Sequence, residues 1–206
     1  MRLLALLAAL SIVPYTPPAA PEPQTISALK IDYIIVREEK DPAGRLVRSI
    51  VNQTRFIAPD KRERIEELDS RMSRHEATLL DPGRDWVVRL DLKRKTAQHN
   101  TRAEANRRNL TGLQAESLAS PTQQQLDTHI IEGFECRGAR SVRGAFIIEI
   151  SNCKDPISGL NFIGRVYFEL PNSHSVWRQD IVKVTRDVAV SPQMFEIPAD
   201  FRVLGQ

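Results

Sequence analysis

The strongest constraint on the fold of this chain is a series of four apolar runs in its C-terminal half, each of strand length. They cover residues 128–134, 142–150, 162–170 and 176–190. Turn-forming sequences separate them: Arg137-Gly138, Asp155-Pro156 with Gly159, and Pro171-Asn172-Ser173. Because glycine and proline are the strongest local breaks in regular structure, this pattern predicts an antiparallel meander of four strands.

Several of these runs carry apolar side chains on both faces of the predicted strand. Ile148 and Ile150 alternate with Ile147, and Phe168 is preceded by Tyr167. A sheet with one solvated face would alternate apolar and polar residues more cleanly. The second face must therefore be covered by a helix, by a curved-over part of the same sheet, or by a bound apolar ligand.

The N-terminal half of the chain is also predicted to form β-hairpins. Leu29, Ile31, Tyr33 and Ile35 alternate before the turn Asp41-Pro42-Ala43-Gly44, and residues 46–57 resume an extended pattern. Residues 62–68 fit either a third strand or a surface helix. A further hairpin is predicted from residues 76–80 and 86–92. Residues 98–125 have few groups to bury and are predicted to form a long connection with room for one short helix.

The N-terminus has the layout of a secretory signal peptide. Met1 and Arg2 precede an eleven-residue run, 3–13, that is apolar apart from Ser11, and residues 14–20 are turn formers and small residues. We predict a signal peptide at 1–20, a Pro-rich lead-in at 21–26 and one β-rich domain at 27–206. The run is shorter than the about 20 apolar residues of a spanning helix. The chain is thus predicted to be periplasmic or secreted, and not an integral membrane protein.

The net charge and the missing sequence motifs exclude several classes of function. The formal net charge is +3, of which Arg2 supplies one, too small to steer the chain to nucleic acid. The nucleotide-binding, hydrolase and zinc-protease motifs are missing, and the four histidines lie far apart without metal-ligand spacing. We therefore predict no enzyme, no catalytic residue, no cofactor and no metal.

The chain has two cysteines, Cys136 and Cys153. In an oxidising compartment such a pair is expected to form a disulfide. A redox role is the alternative, but the C-x-x-C spacing that lowers a thiol pKa is missing. The sequence predicts a structural disulfide between the two.

Four stretches carry a resemblance to a known family. They are 55–64, 79–97, Ile131-Glu132-Gly133-Phe134-Glu135-Cys136-Arg137-Gly138, and Met194-Phe195-Glu196-Ile197-Pro198-Ala199-Asp200-Phe201. In this order the chain resembles an uncharacterised branch of exported bacterial proteins related to the outer-membrane lipoprotein carriers LolA and LolB. The resemblance implies a mainly β fold, a single strongly curved antiparallel sheet (half-barrel) with one or two short helices.

In those carriers the apolar hollow takes acyl chains, so the resemblance implies a periplasmic binding module for a lipid, a lipoprotein acyl chain or a similar apolar group. The alternative is an envelope structural or protein-interaction domain that binds no ligand and contacts another envelope protein. Large apolar side chains on alternating strand positions would hold an acyl chain. The predicted ligand contacts are Ile31, Tyr33, Ile35, Phe146, Ile148, Phe168 and Trp177. The alternative is that these side chains are ordinary core.

Overall fold

A computed structural model describes residues 24–41, 43–69, 75–101, 124–143, 146–170 and 175–204. These residues form one twelve-stranded sheet in the order β12-β6-β5-β4-β3-β2-β1-β11-β10-β9-β8-β7. All neighbouring strands are antiparallel except β12 and β6, which are parallel. The strands are β1 Ile26–Lys40, β2 Leu46–Ile57, β3 Glu63–Asp69, β4 His75–Asp81, β5 Trp86–Asp91, β6 Thr96–Thr101, β7 Gln124–Ile131, β8 Phe134–Arg143, β9 Phe146–Lys154, β10 Asn161–Leu170, β11 Ser175–Val190 and β12 Arg202–Leu204. A 3-10 helix spans Pro192–Phe195.

The sheet is open and strongly curved. Open sheets of more than about ten strands rarely stay flat. The hydroxyl of Tyr33 on β1 donates to the carbonyl oxygen of Ile163 on β10 over 2.9 Å, although β11 lies between these strands. Such a contact between strands that are not neighbours requires the sheet to bend toward the side of Tyr33. We call this side the inner face and the opposite side the outer face.

The predicted fold class is confirmed, and most predicted strands are present. The first hairpin pairs Leu29 with Ile57 and continues in unbroken register to Lys40 and Leu46. Residues 62–68, which fitted either a strand or a helix, contain strand β3. One or two short helices were predicted, and among the described residues the helical structure is the 3-10 helix Pro192–Phe195. The signal peptide predicted at 1–20 and residues 21–23 of the lead-in lie outside the described residues.

The structure changes two predicted connections. The ends of the connection predicted at 98–125 lie in strands β6 and β7, and the rest of that connection lies outside the described residues. The turn predicted at Arg137-Gly138 lies within strand β8. The chain instead turns at Glu132 and Gly133, both with positive φ, of 49° and 79°, as two-residue hairpin turns require.

The sheet buries different faces in different parts. On β1 the inner side chains of Leu29, Ile31, Tyr33 and Ile35 are buried. On β4 to β6 most buried side chains lie on the outer face, where Ala77 and Leu79 pack with Val88, Leu90 and Ala97. Both the curved sheet and a covering segment are therefore needed to keep apolar surface from water.

The covering segment is the C-terminal strap, residues 191–201. Phe195 is buried with Ala28 and Ala58, and further along Ile197 and Phe201 pack against the outer-face cluster of β4 to β6. Charged contacts accompany this packing, since Glu196 pairs with Arg62 and Arg84, and Asp200 with Lys95. The strap then continues into β12, which pairs with β6.

Strands β8 and β9 exchange their buried face along their length. At one end Ala139 and Ile150 are buried, and at the other end Cys136 and Cys153 are. The first pair and the second stand at opposite parities along continuously paired strands, so these strands bury one face at one end and the other face at the other end. This exchange accounts for the apolar residues on both faces of these runs.

The predicted disulfide between Cys136 and Cys153 is present. The two residues are direct partners on β8 and β9, with Cα atoms 4.0 Å apart. Gly164 on β10 lies against this bond, because a Cβ atom at position 164 would overlap the Sγ of Cys153 and would come within 3.3 Å of the Sγ of Cys136. The disulfide is thus packed against bare backbone.

Candidate functional site

Three of the predicted ligand contacts form one row across the inner face. Ile148 on β9 is the register partner of Phe168 on β10, which is in turn the partner of Trp177 on β11. They pack together with Ile150, Val166 and Ile163. We call the group of Ile148, Ile150, Val166, Phe168 and Trp177 the apolar strip.

Burial decreases along the apolar strip. Ile150 and Val166 are fully buried and Ile148 nearly so, whereas Phe168 and Trp177 are half-buried. Arg37, the register partner of Trp177 on β1, is exposed. Solvent therefore reaches the aromatic end of the strip, and this end is the part of the predicted site that a ligand could touch without displacing core.

The other predicted contacts are placed differently. Ile31 and Tyr33 are buried in a second inner cluster that also holds the disulfide and Phe162. Ile35 is buried between Val51 and Gln179, its register partners on either side. Phe146 begins β9, but its side chain lies outside the described part of the structure. A ligand role for all seven residues stays a prediction.

Two polar residues that the sequence analysis did not identify face the same region. Ser141 on β8 is the partner of Ile148, and Gln179 on β11 is the partner of Val166. Both are buried. A single serine in a strand gives no sequence signal by itself, but correct hairpin register for β8 and β9 would have placed Ser141 beside Ile148.

A charged group lies on the inner face next to the second inner cluster. Arg55 on β2 pairs with Glu63 on β3, with 2.8 Å between Nε and Oε2. Burial alone would lower the pKa of Arg55, but the Glu63 carboxylate and Tyr33 together hold that pKa above its ordinary value. Burial raises the pKa of Tyr33 to about 12, against the opposing effect of Arg55. Because this cation is already neutralised, the pair is a structural element of the inner face and not an anion site.

The raised pKa of Tyr33 predicts a pH-dependent stability. Between pH 9 and 11 the unfolded chain loses its tyrosine proton, while the folded chain, with a pKa of about 12, keeps it. The unfolded state then binds fewer protons, so stability falls with rising pH, by about 1 kcal/mol from this group.

Urea unfolding of the protein and of Tyr33→Phe at pH 9 and pH 11 measures this contribution. The variant lacks the hydrogen bond to Ile163, which lowers its stability at both pH values. We expect its loss between pH 9 and 11 to be smaller than that of the unaltered protein by about 1 kcal/mol. Equal losses in the two proteins would show that Tyr33 does not ionise differently on folding.

The outer face carries an apolar group of its own near β1 to β3. Ile50 is 38% exposed and Leu68 is 44% exposed, and both lie on the same face as the half-buried Ile34 and Val36. The ion pair of Arg48 and Glu38 borders them. We call Ile34, Val36, Ile50 and Leu68 the outer patch.

In the part of the chain that the structure describes, no group of three or more histidine, cysteine, aspartate or glutamate residues is arranged to hold a metal ion. None of the helices in that part has the length and apolar character needed to cross a membrane.

Comparison with known proteins shows likeness of fold. No family model and no curated protein sequence matches the chain. A similar solved structure is that of an uncharacterised conserved protein from Thermus thermophilus, with 9% identity, coverage of 84% of this chain and 89% of that chain, and a TM-score of 0.51.

Two further solved structures are similar at lower scores. The complex of MucA and MucB from Pseudomonas aeruginosa has 11% identity, coverage of 86% of this chain and 58% of that chain, and a TM-score of 0.43. A putative outer-membrane lipoprotein-sorting protein domain from Vibrio parahaemolyticus has 5% identity, coverage of 82% and 89%, and a TM-score of 0.39. The likeness of this chain to all three structures is one of fold alone, and no function is taken from them.

Proposed function

We propose that the protein is a non-enzymatic binding module of the cell envelope that holds an apolar group, such as a lipid or a lipoprotein acyl chain, at the exposed end of the apolar strip. The observation that carries this proposal is the burial gradient. The strip runs from Val166, which is fully buried, to the half-buried aromatic rings of Phe168 and Trp177. Half-buried aromatic side chains on a concave face are typical of sites for apolar ligands.

An acyl chain would gain free energy by covering these rings. Each methylene removed from water contributes about 0.8 kcal/mol. Ile31, Tyr33 and Ile35 are already buried, so under this proposal they form core beside the strip and do not contact the ligand. The secretory signal predicted at 1–20 supports an envelope location, where such chains occur.

The test is to purify the protein from the periplasm of an expression host, extract it with organic solvent and analyse the extract by mass spectrometry. We expect the unaltered protein to carry lipid and Phe168→Asp to fold but carry at least about tenfold less, since a carboxylate at a solvent-reachable position is tolerated but repels an acyl chain. Ile157→Asp is the matched control, because Ile157 is an exposed apolar residue in the β9–β10 loop.

A fluorescence titration gives an independent reading. In a Trp86→Phe background Trp177 is the remaining tryptophan, and palmitate should shift its emission to shorter wavelength. Absence of both co-purified lipid and an emission shift would remove the ligand-binding proposal.

The outer patch favours a second candidate, an interaction domain that contacts another envelope protein. Exposed apolar groups of this kind mark protein contacts more often than isolated surface residues do. Under this candidate, Leu68→Lys abolishes photo-crosslinking of a probe placed at position 50 to an envelope protein, while lipid content is unchanged. Crosslinking that persists in Leu68→Lys would count against it.

A further inference from the structure

The sheet has two edges, and they differ in how they are protected. Edge strands expose backbone N–H and C=O groups that can pair with another extended chain. At one edge, β12 is three residues long and carries the exposed Arg202, and both features discourage such pairing. At the other edge, β7 is eight residues long and, within the described residues, has a neighbour on one side only, β8. The edge at β7 is therefore the one that can accept a further strand.

The register with β8 defines the regular part of this edge. A bulge at residues 126–127 interrupts the ladder between the two strands. Bulges of this kind twist an edge and disturb further pairing. From Thr128 to Ile131 the two strands then pair residue by residue. We call residues 128–131 the free edge.

The pairing of β8 with β9 determines which backbone groups of the free edge point away from the sheet. The Cα atoms of Cys136 and Cys153 are 4.0 Å apart, which is typical of an antiparallel pair that exchanges no backbone hydrogen bonds. The backbone groups of Cys136 therefore point toward β7, where its register partner is His129. Because these groups alternate in direction along a strand, those of Thr128 and Ile130 point outward.

The turn after β7 leads to the same assignment. Ile131 and Phe134 flank a two-residue turn in which both residues have positive φ. Turns of this type join residues that exchange backbone hydrogen bonds, so the backbone groups of Ile131 also point toward β8. The free edge thus presents the N–H and C=O groups of Thr128 and Ile130 to a partner strand.

The free edge also offers an apolar side chain on a rigid support. Ile130 is 67% exposed, and a strand added at this edge would cover part of it. The two-residue turn joins β7 to β8, and the disulfide joins β8 to β9. An edge that is already held in its binding conformation loses little conformational entropy when it pairs.

The charges around the free edge select among possible partners. Residues 124–133 contain Asp127 and Glu132 and no lysine or arginine, and the exposed Glu135 is the register partner of Ile130. Arg137 on β8 offsets one of these three charges. A second copy of this chain, paired through the same strand, would bring like charges together, which is destabilising. A segment with basic side chains would instead be attracted to this edge.

We propose that the free edge binds an extended segment of another protein, with alternating apolar and basic residues, as an added strand of the sheet. Backbone hydrogen bonds to Thr128 and Ile130 supply the affinity, and the side chain of Ile130 and the acidic residues supply the preference for this kind of segment. The site goes beyond the proposed function, because it lies at the edge of the sheet and uses neither the apolar strip nor the outer patch.

The test is a titration of the protein into a fluorescein-labelled peptide of alternating valine and lysine, about eight residues long, followed by fluorescence anisotropy at low salt. Ile130→Pro removes the outward N–H and places the proline ring in the path of the added strand, but removes no hydrogen bond to β8. Ile130→Ala is the matched control, because it shortens the same side chain and keeps the N–H. We expect the affinity to fall at least about tenfold in Ile130→Pro and at most about threefold in Ile130→Ala.

Hydrogen exchange of the backbone amides, followed by NMR, needs no variant. In the protein alone, the amides of His129 and Ile131 should be protected, and those of Thr128 and Ile130 should exchange rapidly. The valine–lysine peptide should slow exchange at Thr128 and Ile130 at least about tenfold. Protection of these two amides without the peptide would show that another part of the chain or a second copy already covers the edge, and would overturn the proposal.

A peptide of alternating valine and glutamate tests the charge of the partner. It should bind at least about tenfold more weakly than the valine–lysine peptide, and equal binding would refute a basic partner. Strand pairing at this edge is refuted if the valine–lysine peptide does not bind, or if Ile130→Pro and Ile130→Ala lose the same affinity while both melt like the unaltered protein. If Ile130→Pro does not fold, the exchange rates at Thr128 and Ile130 with and without peptide still decide between pairing and no pairing.

Discussion

Gly164→Ala is expected to destabilise the protein by about 3 kcal/mol, the upper part of the range for overpacked cores. The added methyl group would overlap the Sγ of Cys153 and would lie 3.0 Å from Cδ1 of Ile131. The sulfur cannot rotate away, because it is bonded to Cys136. Either the β8–β9 pair or β10 must then shift. Urea unfolding under oxidising conditions measures the loss.

A double-mutant cycle isolates the cause of this loss. Replacing Cys136 and Cys153 together by alanine removes both sulfur atoms and, with the disulfide, about 2–4 kcal/mol of stability. In that background Gly164→Ala should cost about 2 kcal/mol less than in the unaltered protein, a coupling typical of residues in contact. An equal cost in both backgrounds would show that the disulfide does not confine position 164.

The sequence was sufficient to predict the parts of the fold in which local pattern and tertiary burial agree. In β1 the alternation of Leu29, Ile31, Tyr33 and Ile35 is also the alternation of burial. The turn at Asp41 to Gly44 has the expected chemistry, with a positive φ at Gly44 and a carboxylate that accepts from the backbone of Ala43 and Arg45. The presence of two cysteines in a chain with an export signal was enough to predict their disulfide.

The features that could not be predicted depend on partners remote in sequence. Strand β6 has little apolar content, and its ladders with β5 and with the C-terminal β12 define it. The change of buried parity in β8 and β9 depends on the neighbours that cover each end, which no single-strand pattern contains. The apolar strip was identified in part, through Ile148, Phe168 and Trp177, but Ser141 required the register of two strands.

Phe195→Ala in the C-terminal strap is expected to cost about 3–5 kcal/mol, the range for removing a fully buried phenylalanine. Phe195 is 2% exposed and packs between Ala28, Ala58 and Val190 on the outer face. These small neighbours cannot fill the space that the ring leaves, so a cavity remains. The strap also covers the cluster on β4 to β6, and loosening it would expose that cluster. Urea unfolding with tryptophan emission as the probe measures the effect.

The matched comparison is Glu196→Ala, one residue further along the strap. Glu196 pairs with Arg62 and with Arg84, but its side chain is 41% exposed. Exposed ion pairs contribute at most about 1 kcal/mol and weaken with salt. The loss of unfolding free energy in Phe195→Ala should therefore be several times larger than that in Glu196→Ala. It should also be the same at low salt and at about 1 M salt, where the Debye length is about 3 Å. If instead both variants lose the same unfolding free energy and both losses vanish at high salt, then charge and not apolar burial holds the strap on the sheet.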